Sequence, residues 1–580
     1  MIVKEYLESL NEKDELNRIF PMLLEAMGFE ILTKPTEYLG LQEYGKDIIA
    51  IGKDTDGIKK RFYFELKGGD DRNITEKKFH SRDGISNSLL NSRYKKFISA
   101  YPKFEKLNLI IVVVHNGIVK GNVQSLMEEM FVELSTDEIS FERWDISRLT
   151  KLFNENLFGA YLLVDEETTR LFNRTLVNLN SSDGISNDFV KLINYLFTKY
   201  DWASPKRGFP KKWKLQFESF KLISFIIYTE AKKSNNFETA KKYLTHSILR
   251  FWLWILKNKL ENDKKVMGYF MQSFLFYYKV LAEYFNRTID VAFLKDGLFS
   301  EHGGRYEQVG YAMRTFEYLQ YYCFVLNVNR HIDSKFNYDN AKLHLVKLIN
   351  SNSVSARPLL DMHSIPIIDT LLLLIKFDAK EEAKAYLNNV LAHIKWGKEN
   401  HDRLPDASNS IENVVKFIIT GEKSVFYSDS TSPLLAVLME FVAILDMEDV
   451  YYGMKKFINS NNIELGIFVP HHGLNSVSRD LIKDEENDLE EQLFSKSVLD
   501  GYQSQLKLKT INIENIDFNE ELSFKDFKDK IKRKMDEFEY NYRTDNAQFP
   551  FLKDLAHIYF RTPYFPDKWR AIDFQHNTKS

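Results

Sequence analysis

Cysteine is nearly missing from this chain: among 580 residues, Cys323 stands alone. A single thiol cannot close an intramolecular disulfide, and no Cys/His set has the spacing of a zinc site, so a disulfide scaffold and a structural zinc module are both excluded. A reducing, cytoplasmic setting is the simplest expectation. Long apolar runs are also absent. Leu371-Leu372-Leu373-Leu374-Ile375 is too short to span a bilayer, so no membrane partner is expected. The first twenty residues lack a signal-peptide core, because Glu5, Glu8, Glu12, Lys13, Asp14 and Glu15 interrupt them. No Gly-x-x-x-x-Gly-Lys-Ser/Thr segment occurs, which argues against ATP hydrolysis by this chain. Excess positive charge is missing too: 79 Lys and Arg stand against 82 Asp and Glu. Neither the first 165 residues nor the remainder is markedly basic, so affinity for a polyanion must come from local patches or from a partner.

What is present begins with ample core material, 44% hydrophobic residues over a length that suits two or three domains. The chemistry concentrates near the N-terminus, in Gly45-Lys46-Asp47-Ile48-Ile49-Ala50-Ile51-Gly52 and Arg61-Phe62-Tyr63-Phe64-Glu65-Leu66-Lys67-Gly68-Gly69. The first reads as an apolar strand from Asp47 to Gly52. The second alternates from Ile58 to Lys67, with Phe62, Phe64 and Leu66 on one face and Arg61, Tyr63, Glu65 and Lys67 on the other. Asp54-Thr55-Asp56-Gly57 between them is a hairpin turn with Gly placed for a positive φ. If Asp54 pairs with Ile58, Asp47 lies directly opposite Glu65, with Cβ atoms about 5 Å apart on one face. Two bare carboxylates there repel each other. A hard divalent cation relieves that repulsion, and Mg²⁺ is commonly held by one or two carboxylates plus substrate phosphate. Lys67 projects from the same face and can orient water or neutralise phosphate charge. The same pattern also suits a solvated hairpin face.

The flanking sequence supplies context. Asp14 can cap a helix running to about Met27, with Leu16, Ile19, Phe20, Leu23, Leu24 and Met27 on one face. Gly28-Phe29-Glu30-Ile31 turns it into a strand. A helix is expected near Ser86–Ala100, a buried strand over Leu107–Val114, a short strand over Phe141–Ile146, and a helix from Ser147. These elements make an α/β sandwich around a mixed sheet.

Residues 14–155 resemble the PD-(D/E)XK nuclease superfamily, in particular its restriction-endonuclease-like or Mrr-type branch. The matching pieces are Leu23-Leu24-Glu25-Ala26-Met27-Gly28-Phe29, Gly45-Lys46-Asp47-Ile48 and Phe64-Glu65-Leu66-Lys67. The resemblance implies a restriction-endonuclease-like domain over 1–165, in which Asp47 and Glu65 bind Mg²⁺ or Mn²⁺ and Lys67 assists attack by water. Many members add a Glu from the first helix as a metal ligand. Glu15 and Glu25 both compete for that role here.

A polar stretch, Val177-Asn178-Leu179-Asn180-Ser181-Ser182-Asp183-Gly184, suggests a linker over 166–187. Beyond it, apolar residues recur at helical spacing, as in Phe189, Leu192, Ile193, Leu196 and Phe197, so 188–500 reads as a large helical array. Strand-like alternation returns only near 506–518, and 501–580 reads as a mixed segment packed on the helices. Glu238-Thr239-Ala240-Lys241-Lys242-Tyr243-Leu244 and Glu381-Glu382-Ala383-Lys384-Ala385-Tyr386-Leu387 share a pattern like a tetratricopeptide helix, but no steady period links them. Lys206, Arg207, Lys211 and Lys212, with Trp213 for stacking, form the densest basic-aromatic stretch; it reads either as a nucleic-acid contact, together with Lys46, or as a solvated loop. His471-His472 and His401-Asp402 are candidate metal ligands or surface polarity, Glu301-His302-Gly303-Gly304-Arg305 is a turn, and Lys525 to Lys534 is a charged helix face.

Two functions remain from different classes. One is a metal-dependent endonuclease acting on DNA, joined to a helical region that senses a signal, binds a protein partner or self-associates. That layout resembles prokaryotic anti-phage or restriction-type effectors. The other is a helical interaction protein that carries a degenerate nuclease fold as scaffold.

Overall fold

The computed structural model describes residues 2–33, 46–81, 84–95, 97, 99, 101–157, 166–179, 184–198, 211–406, 410–423, 427, 430–470, 511–516, 518, 522–537, 543–561 and 566–570. They fall into two compact units, Met1–Ala240 and Lys241–Ser580.

The first unit opens with helices α1 (Ile2–Ser9) and α2 (Asn17–Ala26), then strands β1 (Glu30–Thr33), β2 (Ile48–Lys53) and β3 (Lys59–Lys67). Helices α3 (Glu76–His80) and α4 (Ile85–Tyr94) lead to β4 (Leu109–His115), α5 (Val123–Leu134), β5 (Ile139–Trp144) and α6 (Ile146–Phe153). The strands form one mixed sheet in the order β1-β2-β3-β4-β5, antiparallel across the first three and parallel from β3 to β5. The β2–β3 turn forms as its residues dictate. The Asp54 N–H donates to the Ile58 carbonyl (3.0 Å), the Gly57 N–H donates to that of Asp54 (2.9 Å), and Gly57 adopts φ +77°. The resulting register pairs Ile48 with Phe64 and Lys53 with Lys59, as the turn geometry requires.

Both faces of the sheet are covered, which is why β4 is an unbroken apolar run. On one face Phe62 and Phe64 pack edge-on against Phe29, and Phe64 also meets Phe20 and Trp144. On the other, Ile49, Ile51, Tyr63, Ile111 and Val113 pack with Phe79, Leu89 and Met127. The N-terminal helix departs from expectation. Asp14, expected at the helix start, lies inside a π-type turn over Glu12–Leu16, closed by the Leu16 N–H on the Asn11 carbonyl (2.8 Å), and the helix itself begins at Asn17. Helical structure starts earlier because Val3, Tyr6, Leu7 and Leu10 supply a further buried face.

Residues expected as linker include α7 (Glu166–Asn178), which packs on α8 (Asn187–Thr198). α9 (Lys211–Lys233) joins the same unit through Tyr6, whose ring meets Phe225 at 5.5 Å and whose hydroxyl donates to Glu218 (3.4 Å). The compact division therefore falls later in the chain than the polar stretch.

The second unit is mostly helical. α10 (Phe237–Lys257) leads into it, followed by α11 (Lys264–Ala292), α12 (Glu307–Ile332), α13 (Tyr338–Ser351), α14 (Ser364–Lys376), α15 (Lys380–His401), α16 (Ile411–Thr420), α17 (Pro433–Ile444) and α18 (Glu448–Ser460). Ala383, Tyr386 and Leu387 are buried, as their small-then-large spacing on α15 requires. Strand β6 (Gly466–Pro470) pairs antiparallel with β7 (Ile511–Asn515). β7 lies within the stretch of expected alternation, whereas β6 was not expected. α19 (Phe524–Asp536), α20 (Arg543–Asn546) and α21 (Phe551–Phe560) complete the unit. None of the described helices is long and apolar enough to cross a membrane.

The C-terminal segment is anchored by charge. Glu440, fully buried on α17, accepts from Trp569 Nε1 (2.6 Å) and from Arg570 Nε (3.0 Å). Glu440→Ala leaves the Arg570 guanidinium buried without this carboxylate, a change that costs about 3–5 kcal/mol for such pairs. Urea unfolding of the full chain should show a destabilised transition; an unchanged midpoint would mean the pair does not hold the segment.

Candidate active site

Asp47, Glu65 and Lys67 meet at the C-terminal end of β3. Asp47 immediately precedes β2, and its N–H donates to the Phe64 carbonyl (2.9 Å), one residue off the paired register, which ends at Ile48 and Phe64. Its Oδ2 accepts the Leu66 N–H at 2.6 Å, so the side chain takes the place of a strand carbonyl. Glu65 is buried, and its Oε1 lies 2.8 Å from Lys67 Nζ. Lys67 keeps its side chain 19% exposed.

The electrostatics are those of crowded carboxylates. Burial pushes the Asp47 carboxyl well above the usual range, the charge of Glu65 pushes it further, and the Leu66 N–H and Lys67 only partly oppose this. Burial by itself would lower the pKa of Lys67, but Glu65, Glu12 and Asp47 outweigh it and hold the ammonium charged. Among the described residues no three His, Cys, Asp or Glu side chains stand close enough to cage a metal on their own. Asp47 and Glu65 thus make a two-carboxylate site, of the kind that leaves most of a hard cation's shell to water and phosphate.

The acidic residue that borders this site is Glu12, not Glu15 or Glu25. Glu12 Oε2 accepts the Gly68 N–H at 3.3 Å, and burial raises its carboxyl while Lys67 draws it down. Glu15 turns back on its own turn, accepting from the backbone N–H (2.7 Å) and side-chain amide (2.9 Å) of Asn11. Glu25 sits at the other end of α2, by Phe29, whose ring abuts Gly52 and Phe62 at the far end of the hairpin. The signal for Glu12 lay in Gly68-Gly69. A Cβ on Gly68 would stand 2.8 Å from the Glu12 nitrogen, so only glycine lets the turn after α1 approach the end of β3. Asn116 locks the approach by donating to the carbonyls of Leu7 (2.6 Å) and Leu10 (2.7 Å).

Two further groups flank the triplet. His115 lies beside Lys67 across the parallel β3–β4 pair, and burial together with the nearby Arg143 pushes it down to about 4, so it is neutral at physiological pH. Lys46 is buried with Nζ 5.3 Å from the Tyr63 ring centre; burial and Lys95 bring it down to about 8, opposed by Glu65. Lys46 therefore stands within electrostatic reach of the carboxylates.

The other expected contacts are dispersed. Lys206, Arg207 and the His471-His472 pair lie outside the described residues, as do the side chains of Lys211 and Lys212. Trp213 is only 3% exposed, which corrects its expected role as a stacking platform: at the start of α9 it faces the core. Asp402 is held by Lys398 (2.6 Å) and Lys423, and His401 rests on Trp396, an arrangement of helix capping.

Compared with models of known families, with curated proteins and with solved structures, the chain matches none.

A raised carboxyl binds its proton more tightly in the folded than in the unfolded chain. Its contribution to stability is therefore present below the ordinary carboxylate range and lost as pH rises through the folded pKa. Asp47→Asn removes the charge and keeps an acceptor for Leu66. It should raise Tm at pH 7 by an increment that shrinks toward pH 4. A lower Tm at pH 7, in thermal scans across this range, would show that Asp47 is not under electrostatic strain.

Proposed function

We propose that this chain is a metal-dependent endonuclease of the PD-(D/E)XK, restriction-endonuclease-like type, hydrolysing phosphodiester bonds of DNA with Mg²⁺ or Mn²⁺. The observation that carries the reading is the meeting of Asp47 with the end of β3, where its Oδ2 accepts the Leu66 N–H (2.6 Å) between Glu65 and Lys67. The donor set fits a hard cation. Both ligands are carboxylates, Asp47 is destabilised by its neighbour's charge, and a divalent ion relieves that repulsion.

Asp47 and Glu65 would hold the ion, with Glu12 adding negative charge at the rim. When bound, the ion lowers the pKa of a ligated water and polarises the phosphate. Lys67, kept charged by the surrounding carboxylates, orients the attacking water and neutralises charge that builds on the phosphoryl oxygens. Lys46, close by, is suited to contact an adjacent phosphate. By analogy of layout alone, a nuclease-like sheet followed by a large helical unit suits a restriction-type or anti-phage effector, with the helical unit controlling cleavage through a protein partner or self-association.

Cleavage of plasmid DNA and of RNA by the full chain, with Mg²⁺, Mn²⁺ or EDTA, tests the reading. Asp47→Ala and Glu65→Ala should abolish metal-dependent cleavage. Lys67→Ala should slow turnover by about 10²–10³-fold while metal binding, read by calorimetry, persists. Cleavage by Asp47→Ala equal to wild type would refute the assignment. A wild type that cuts neither polymer would favour the interaction protein with a degenerate nuclease fold.

A further inference from the structure

One aromatic ring of the sheet's unit stands out in solvent. Tyr94, the last residue of α4, is 66% exposed, and no other Phe, Tyr or Trp among the described residues of that unit is left so open. Arg93 lies over it, with the guanidinium carbon 5.0 Å from the ring centre and Nη1 donating to the hydroxyl (3.0 Å). Among the described residues Arg93 meets no carboxylate. Lys95 follows, also exposed. Residues 84–104 contain Arg93, Lys95, Lys96 and Lys103 and neither Asp nor Glu, in a chain whose overall charge is −3.

This basic, aromatic end of α4 borders the candidate active site. Tyr63 shares its sheet face with Glu65 and Lys67, because alternate residues of a strand point the same way. Its ring belongs to one buried cluster with Leu89 of α4, and Leu90 and Phe97, on either side of residues 93–95, pack against that cluster. Lys46, the residue before Asp47, holds its Nζ 5.3 Å from the centre of the same ring. Tyr63 thus links the end of α4 to Lys46 and so to the carboxylates. After burial, the charge of Lys95 is what lowers the proton affinity of Lys46. A helix C-terminus favours cations, which accounts for Arg93 in the last turn. A single exposed apolar residue is ordinary on any surface. Neither accounts for the most open aromatic of the unit lying under a guanidinium, in an acid-free stretch, beside the candidate site.

We propose that the C-terminal end of α4 is a surface for an unpaired DNA strand, on which Tyr94 stacks a nucleobase while Arg93 and Lys95 contact the flanking phosphates. The proposal takes its substrate chemistry from the nuclease reading. Every base has a face that stacks on a tyrosine ring or a guanidinium plane, so such a platform binds without regard to sequence, and cations beside it follow the backbone. In a continuous duplex the base faces are covered by neighbouring pairs, and only the phosphates remain within reach. The platform therefore selects strands whose bases are free. The substrate class that follows for the proposed hydrolysis is DNA with a single-stranded segment next to the bond that is cut.

Fluorescence anisotropy of the full chain with a labelled single-stranded oligodeoxynucleotide and with the matching duplex, in EDTA, tests this without requiring cleavage. The single strand should bind more tightly. Tyr94→Ala should weaken its binding by at least about fivefold and leave the duplex unchanged, and Tyr94→Trp should restore it. Arg93→Gln and Lys95→Gln together should weaken both ligands and flatten the dependence of binding on salt. All three side chains lie at the surface, and thermal scans of the variants check that each is folded. The outcomes separate this surface from the nuclease reading. A chain that binds the strand through Tyr94 but cuts nothing keeps the surface and loses the nuclease. A chain that cuts DNA but binds the strand equally well as Tyr94→Ala overturns the surface alone. Tighter binding of the duplex, or no binding of the strand, overturns it as well.

Discussion

A four-residue turn governs the candidate site. Asp54 to Gly57 closes the β2–β3 hairpin in one register, and that register brings Asp47, just before β2, to the end of β3 that carries Glu65. The side-chain period of a strand is two, so a slip of one residue would turn Glu65 and Lys67 to the face covered by Phe20, Phe29 and Trp144 and send Phe62 and Phe64 to the other. The aromatic face resists such a slip because it can pack only against α2 and Trp144. Stability on one side of the sheet therefore enforces an unfavourable meeting of carboxylates on the other.

That meeting is sustained by its surroundings. Asp47 lends an oxygen to the Leu66 N–H, Glu65 leans on Lys67, and Glu12 reaches the Gly68 N–H. Each contact satisfies part of a charge, and the Asp47 carboxyl still remains raised. Local rules of charge burial are broken where chemistry is expected and obeyed elsewhere, as at Glu440 and Arg570, where carboxylate and guanidinium compensate each other within the helical core.

The hairpin turn and its register over β2 and β3 were legible in the sequence, since turn chemistry and alternation are local. So was the change from a mixed sheet to helices, which follows from a change of hydrophobic period. Glu12 was not legible, although Gly68-Gly69 marked a close backbone approach, because a glycine pair does not say which segment approaches. Trp213 misled for a related reason. Its basic neighbours suggested exposure, whereas helix α9 turns the ring inward.

The amino-acid sequence by itself determined the β2–β3 hairpin, the turn that registers it and the buried run of β4, because each depends on neighbours a few positions away. The tertiary structure alone decided that Glu12 rather than Glu15 or Glu25 borders the site, that α7 to α9 join the sheet's unit, and that Lys568 reaches Asp369. Those outcomes depend on which distant backbones can approach, and on which buried charges are left without an opposite when they do.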